Sequence, residues 1–410
     1  MKRVVILCAL IAGVVGLAFT QRWFRHVGVA GSPERLIDDR CQHQSADEQQ
    51  GCYLAGLEAR LADSGVAAAM ATLKALAKGD SRFEKDGHVY AHGVGIKAYL
   101  LTKDVPTNFD HCSTDFASGC AHGVIQGYLE SQGSLTEEAL NDLCRPYRGE
   151  HAADWQRFQC VHGAGHGLVM MYQGDLPHAL ANCDWLHDGW DRESCYGGAF
   201  MENIMRTIAP HHPASELSAS HHQHQAATFK ALDSTDLLYP CSQVEDRFHR
   251  ACYEIQTAAI LHFTKGMLVP AARACDQAPD RMRSVCYQSL GRDITAKALR
   301  DPSRSARYCR ETGEANLPWC YYGVAKALVD WEANPALGFD FCRKLAGERG
   351  ERLCFQAVGE QIAALRVDLV AREGECRSAG HEPGVAACRW GAALPGAVRP
   401  GPDPDPGLDR

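Results

Sequence analysis

The chain is rich in cysteine, yet no two cysteines stand in a C-x-x-C pair and no C-x-x-C-H occurs. Structural zinc clusters favour that close spacing and covalent c-type haem requires it, so neither is expected. Also missing are a Walker loop, G-x-S-x-G and H-E-x-x-H, so no recognised catalytic signature is present. HGAGHG at 162–167 is not a dinucleotide fingerprint, because it sits inside a helical pattern with no strand before it. There is no basic excess either. With 42 basic against 50 acidic residues the net charge is −8, which offers no field for nucleic acid.

What the chain does have is cysteine at a fixed period. Cys241 pairs by position with Cys252, Cys275 with Cys286, Cys309 with Cys320, Cys342 with Cys354 and Cys376 with Cys388, and the second members fall every 34 residues. Self-similarity at this period marks a repeat array of helical hairpins. The unit from Cys286 reads CYQSLGRDITAKALRDPSRSARYCRETGEANLPW before Cys320 opens the next. Its first part is a helix (A) stopped near Arg300. Asp301 and Pro302 suit the start of a second helix (B) that ends around Cys309. Each cysteine pair therefore joins the end of one B helix to the start of the next A helix. Upstream, Cys41 with Cys52, Cys112 with Cys120, Cys144 with Cys160 and Cys183 with Cys195 continue the series, leaving Cys8 over from the 19 cysteines. Local pairing of an even set predicts disulfides and an oxidising compartment. The hydrophobic fraction of 46% is ample for a packed core, and the expected fold is an all-α solenoid of stapled hairpins.

The junction ARACDQAPDRMRSVCYQSLG resembles that of cysteine-rich Sel1-like repeat proteins, which are related to tetratricopeptide solenoids and secreted by bacteria. The resemblance covers about 41–388 and rests on cysteine placement and period. The link here is longer than that family's, and its glycine-rich A-to-B turn is absent. The resemblance implies an α-solenoid with a peptide- or protein-binding habit and assigns no residue a role.

The expected organisation is a signal peptide or membrane anchor at 1–30, histidine-containing repeats at 41–205, a histidine-rich insert at 206–240, regular repeats at 241–391 and a disordered tail at 392–410. Lys2 and Arg3 precede an apolar run whose length lies between a signal core and a membrane span. This places the chain in the cell envelope, on the periplasmic or extracytoplasmic side, with the N-terminal segment as its membrane contact. The insert carries His211, His212, His221, His222 and His224; it reads as an exposed polar loop, and such tracts also bind metal weakly.

Helix geometry assigns faces to the A helices. Counted from the cysteine, whose place Tyr90 takes in the unit YAHGVGIKAYL, at about 100° per residue, positions +1, +4 and +8 cluster on one stripe. They hold Tyr287, Leu290 and Ile294, then Tyr321, Val324 and Leu328, then Phe355, Val358 and Ile362. That stripe is the core. Position +3 holds Gly93, Gly123, Gly163, Gly198 and Gly323, and small residues there let neighbouring A helices approach closely; Ile255 breaks the rule. Position +2 points elsewhere and holds His92, His122, His162, Gly197, Glu254, Gln288, Tyr322 and Gln356. In a solenoid of this type that row is expected to line a concave groove.

His88 and His92 are an i,i+4 pair, as are His162 and His166, on the helices either side of His122. Neighbouring helices lie about 8–10 Å apart, so imidazoles on them can meet one ion at ~2.0–2.1 Å. The sharp expectation is a copper or zinc site made from His88, His92, His122, His162 and His166. Glu130 and Glu202 lie off the histidine angle and are candidate carboxylate ligands or bases. The competing expectations are a metal-dependent hydrolase or redox enzyme using the same cluster, and a metal-free groove that binds a protein or peptide. With no catalytic signature, a binding scaffold is favoured over an enzyme.

Overall fold

A computed structural model of the chain describes residues 31–78, 80–149, 154–208 and 229–402. The expected signal or anchor, the five histidines of the insert and the last eight residues lie outside them. Among the described residues no helix is long and apolar enough to cross a membrane. All regular structure there is helical, as the period requires.

The chain forms two compact units, Met1–Tyr53 and Leu54–Arg410. In the first, α1 (Pro33–Cys41) leads to the start of α2 (Ala46–Ala77), and Cys41–Cys52 closes the connection. Tyr53 Oη donates to Asp38 Oδ1 at 2.6 Å. Within the second unit α2 bends at Gly65, whose φ of 83° falls where glycine is favoured.

The rest of the second unit alternates long A helices with short B helices. The A helices of its N-terminal half are α3 (Ser81–Thr102), α5 (Gly119–Glu130), α7 (Asp154–Met171) and α9 (Gly189–Ile208). Their B partners are α4 (Val105–His111), α6 (Glu137–Leu143) and α8 (Leu176–Cys183). After a broken repeat, α10 (His249–Tyr253) with α11 (Thr257–Phe263), comes α12 (Leu268–Asp276). The series then runs α13 (Asp280–Lys297), α14 (Pro302–Glu311), α15 (Leu317–Glu332), α16 (Pro335–Cys342), α17 (Glu348–Leu365), α18 (Leu369–Cys376) and α19 (Glu382–Gly391).

The B helices start where the sequence supplies a cap. Asp104, Thr136, Asp175, Asp301, Asn334 and Asp368 each accept a backbone N–H from the first turn of their helix, typically with proline beside them. At the other end of each hairpin stands a disulfide. In the N-terminal half of the second unit Cys112 is joined to Cys120, Cys144 to Cys160 and Cys183 to Cys195. Cys241 is joined to Cys252 ahead of the broken repeat. Cys275 then joins Cys286, Cys309 joins Cys320, Cys342 joins Cys354 and Cys376 joins Cys388. With Cys41–Cys52, all nine expected pairs are formed, at Cα–Cα distances of 5.4–5.8 Å. Closing loops of this length is worth about 2–3 kcal/mol each in the chain-entropy picture.

The second member of each pair is a helical residue, and from Cys120 onward its side chain also fills the core. Cys160 lies within α7, Cys252 within α10 and Cys354 within α17, and all three are fully buried. Most second members depart from the expected place at the very start of an A helix. Cys160, Cys195, Cys286, Cys354 and Cys388 each stand six residues after their helices begin at Asp154, Gly189, Asp280, Glu348 and Glu382, so the link is partly helical and the helix begins before the staple. Cys252 opens no long A helix, because α10 ends at Tyr253. The +1, +4 and +8 stripe is buried as expected, with Tyr287, Leu290, Ile294, Phe355, Val358 and Ile362 all inside the core.

Neighbouring A helices touch through glycine in a pattern finer than the 34-residue period. A Cβ on Gly123 would stand 2.1 Å from the carbonyl oxygen of His92, and one on Gly95 would stand 2.0 Å from that of Cys120. The same reciprocal crossing recurs between α7 and α9 (Gly198 on His162, Gly165 on Cys195), α13 and α15 (Gly323 on Gln288, Gly291 on Cys320), and α17 and α19 (Gly391 on Gln356, Gly359 on Cys388). The A helices thus come as tight pairs, with a looser seam between pairs, and the packing repeat is two hairpins long. Ile255 occupies the +3 place in the repeat whose A helix is broken into α10 and α11.

The +2 row is not an open groove over the histidine half. His92, His122, His162, Tyr322 and Gln356 are all buried. The reason is a return contact: α7 packs against α17, and the ring of Phe116 lies 5.9 Å from that of Trp331. Ala392 and Leu394, just past α19, are also buried against the last repeat.

Candidate metal centre

Three successive A helices bring the five expected histidines together. One face of α3 carries His88 and His92, one turn apart. The facing stripe of α5 carries His122, Gln126 and Glu130 at i, i+4 and i+8, and that of α7 carries His162, His166 and Met170 at the same spacing. Because Gly123 lets α5 sit directly on the backbone of α3, the imidazoles meet. Ring centroids are 4.5 Å apart for His88 and His92, 5.3 Å for His92 and His122, and 5.6 Å for His88 and His122. They are 5.4 Å apart for His122 and His166, 5.2 Å for both His92 with His166 and His122 with His162, and 5.1 Å for His162 and His166.

Within this strip, His88, His92 and His122 each offer a ring nitrogen such that all three lie within 4.8 Å of one another, so this group could hold a metal ion. The surrounding hydrogen bonds say which nitrogens are presented. His88 Nδ1 is 2.7 Å from the carbonyl oxygen of Phe116 and must donate to it. His92 Nδ1 is 2.6 Å from Gln126 Oε1. The orientation of that amide is fixed, because its Nε2 donates to the Glu202 carboxylate at 3.2 Å. Both rings therefore carry a proton on Nδ1, and their Nε2 atoms face each other at 2.9 Å. Two lone pairs at that separation repel unless a cation lies at them: a proton, making one ring an imidazolium, or a metal. His122 is held through Nε2 by Gln159, and its buried Nδ1 has no hydrogen-bond partner.

At His122 and His162 the electrostatics favour the neutral imidazole, the state a metal needs. Burial, with the neighbouring histidines His162, His166 and His88 adding to it, holds His122 well below the ordinary imidazole range. Burial, then His166 and His88, does the same to His162. Arg292 on α13 adds a further unfavourable charge to His162.

Glu202, placed off the histidine face by helix geometry, in fact reaches the strip. It stands on α9 and faces across to α7, where its Oε2 meets His166 Nδ1 at 2.9 Å. It acts behind the histidines, orienting His166 as carboxylates orient metal-binding imidazoles. Glu130 has a buried Oε2 with no hydrogen-bond partner. Burial, followed by the charge of Glu202 and opposed by Arg206, pushes its carboxyl up to about 7.

Sequence reasoning missed Gln126, Gln159 and the Phe116 carbonyl, the groups that fix the imidazole tautomers. A signal existed for Gln126 alone, four residues beyond His122 on the same stripe. No cysteine joins the site, since every cysteine of the described residues is in a disulfide.

The chain matches no family model, no curated protein and no solved structure. The functional reading therefore stands on this geometry.

Proposed function

We propose that the chain is a metal-holding helical-repeat scaffold of an oxidising compartment, with an ion bound by His88, His92 and His122. The observation that carries this reading is the facing pair of His88 and His92 Nε2 atoms, 2.9 Å apart, with both Nδ1 atoms on oxygen acceptors. Acceptors placed behind imidazoles in this way fix the tautomer that a metal position needs. An all-imidazole set of this kind suits copper or zinc. The disulfides support export, because they persist where thiols are oxidised. They also hold the ligand helices in place before any ion arrives. The resemblance to Sel1-like repeats fits a scaffold that holds a ligand.

Glu130, a carboxyl raised to about 7 on the helix that carries His122, favours a second reading in which the site also moves protons, as a metal-assisted hydrolase would. In both readings the metal is the same.

The test is binding of zinc(II) and copper(II) to chelator-stripped full-length protein, beside a His92→Ala/His122→Ala variant. The expected result is near-stoichiometric metal and a raised melting temperature in the wild type, both lost in the variant. A wild type that stays empty when metal is offered, with an unchanged melting temperature, refutes the reading.

A further inference from the structure

The three-histidine group uses only part of the strip. Beyond it lie His166 Nε2, a buried ring nitrogen with no hydrogen-bond partner, and His162 Nδ1, which makes no well-formed hydrogen bond although the Ser194 backbone lies beside the ring. His166 is 1% exposed and His162 is 5% exposed. A buried polar atom left without a partner costs about 1–3 kcal/mol. Two nitrogens so placed on adjacent turns of one helix, in rings 5.1 Å apart, are not explained by packing.

A separate feature favours a cation at the same end. Glu202, hydrogen-bonded to His166, raises the carboxyl of Glu130, and the exposed Arg206 opposes it. The Oε2 of Glu130 is buried without a donor. A cation held nearby would stabilise the ionised form of such a buried carboxyl.

We infer that His162 and His166 form a second cation position adjacent to the first, with Glu202 as the positioning residue of His166 and His122 standing between the two. This deepens the metal reading and rests on it. It predicts two ions where the group of His88, His92 and His122 predicts one. The ions would be of the same class, a divalent transition metal taken by neutral imidazole, with Glu202 supplying compensating charge.

The test is stoichiometry on the full chain. Chelator-stripped protein is dialysed against zinc(II), and bound metal is counted by mass spectrometry. Cobalt(II) titration followed by its visible absorption reports each position separately. Wild type should hold two equivalents. His162→Ala/His166→Ala and His88→Ala/His92→Ala should each hold one, with different residual cobalt spectra. Glu202→Gln should weaken the second equivalent by roughly 10-fold or more, since outer-shell partners act on that scale, and the first by less, because there Glu202 acts only through Gln126. Histidine-to-glutamine versions and a circular dichroism melt show that a loss is not unfolding. Wild type holding one equivalent, lost in the His88→Ala/His92→Ala variant and kept in the His162→Ala/His166→Ala variant, overturns the second position and leaves the first. One equivalent lost in both variants overturns it too, by making the strip a single centre. No metal at all removes the inference together with the reading beneath it.

Discussion

The N-terminal and C-terminal halves of the second unit have the same frame and different interiors. Both staple their A helices with disulfides, Cys144 to Cys160 in one and Cys342 to Cys354 in the other, and among these A helices only α3 lacks a cysteine of its own. Both cross their A helices in glycine-locked pairs, Gly123 on His92 in one and Gly323 on Gln288 in the other. The +2 row is His92, His122 and His162 in the first half but Gln288, Tyr322 and Gln356 in the second. In the second half the interior acid Glu360 is met by Tyr322 and Lys326. In the first half, imidazole nitrogens are left facing one another. The C-terminal half thus shows what the frame contains when no site is built into it. The comparison teaches that the frame is indifferent to the residue at +2, so the histidines are not there to fold it.

The largest effects should fall on both halves alike. Reduction removes nine loop closures of about 2–3 kcal/mol each, so the melting temperature should collapse. Non-reducing peptide maps should show only sequence-adjacent pairs. Gly123→Ala and Gly323→Ala should each cost about 3 kcal/mol or more, because the added Cβ meets backbone that cannot step aside. If urea midpoints move for one and not the other, the two halves do not share a frame.

Next comes a variant that makes the first half resemble the second: His92→Gln, His122→Tyr and His162→Gln together. It should fold, with disulfides intact, and lose the metal response. In wild type, metal at about 100 times its Kd should add about 2.7 kcal/mol; the variant should show no such gain. A variant that still gains stability with zinc(II) would place the site elsewhere.

Much of this architecture could be read from the chain because it is local. A disulfide across a short link, a cap with proline after it, and a stripe at helical spacing all concern residues within one unit. The five-histidine strip was legible too, since +2 and +6 positions on successive A helices stack wherever the helices do. Three things were not. The tautomer-fixing partners Gln126 and Gln159 depend on the angle between neighbouring helices. Glu202 meets His166 because α9 presents a different face to α7 than the shared angle implies. The burial of the +2 row depends on α7 meeting α17, a contact between residues almost 200 apart in sequence that no periodicity encodes.

A smaller effect is the pH dependence of the metal-free protein. His122 and His162 have folded values held below the ordinary range near 6.5. As pH falls below about 6.5, the unfolded chain takes up protons that the folded chain refuses. Stability should therefore drop by about 1.4 kcal/mol per pH unit for each histidine. Urea midpoints between pH 7 and pH 5.5 measure this, and the triple variant should flatten the slope. Equal slopes in the two proteins would mean that these imidazoles take up protons in the folded chain as they do in the unfolded one.

The smallest effect separates the halves at a single matched position. Ten residues past the A-helix cysteine, α5 carries Glu130 and α15 carries Asp330. Both carboxyls are raised by burial, Glu130 to about 7 and Asp330 to about 6. Their neighbours differ: Glu202 raises Glu130 further, whereas Lys326 pulls Asp330 back. A raised carboxyl binds its proton more tightly in the folded state, so its contribution is present at low pH and is lost as pH climbs through the folded value. Glu130→Gln should then stabilise the metal-free protein at pH 8 by on the order of 1 kcal/mol and change little at pH 4. Asp330→Asn should gain less, since Lys326 already compensates the charge. In wild type, added zinc(II) should reverse the order, because a bound cation favours the ionised Glu130 and makes its removal costly. A Glu130→Gln gain at pH 8 that zinc(II) leaves unchanged would separate this carboxylate from the metal and leave it as an ordinary buried acid of the frame.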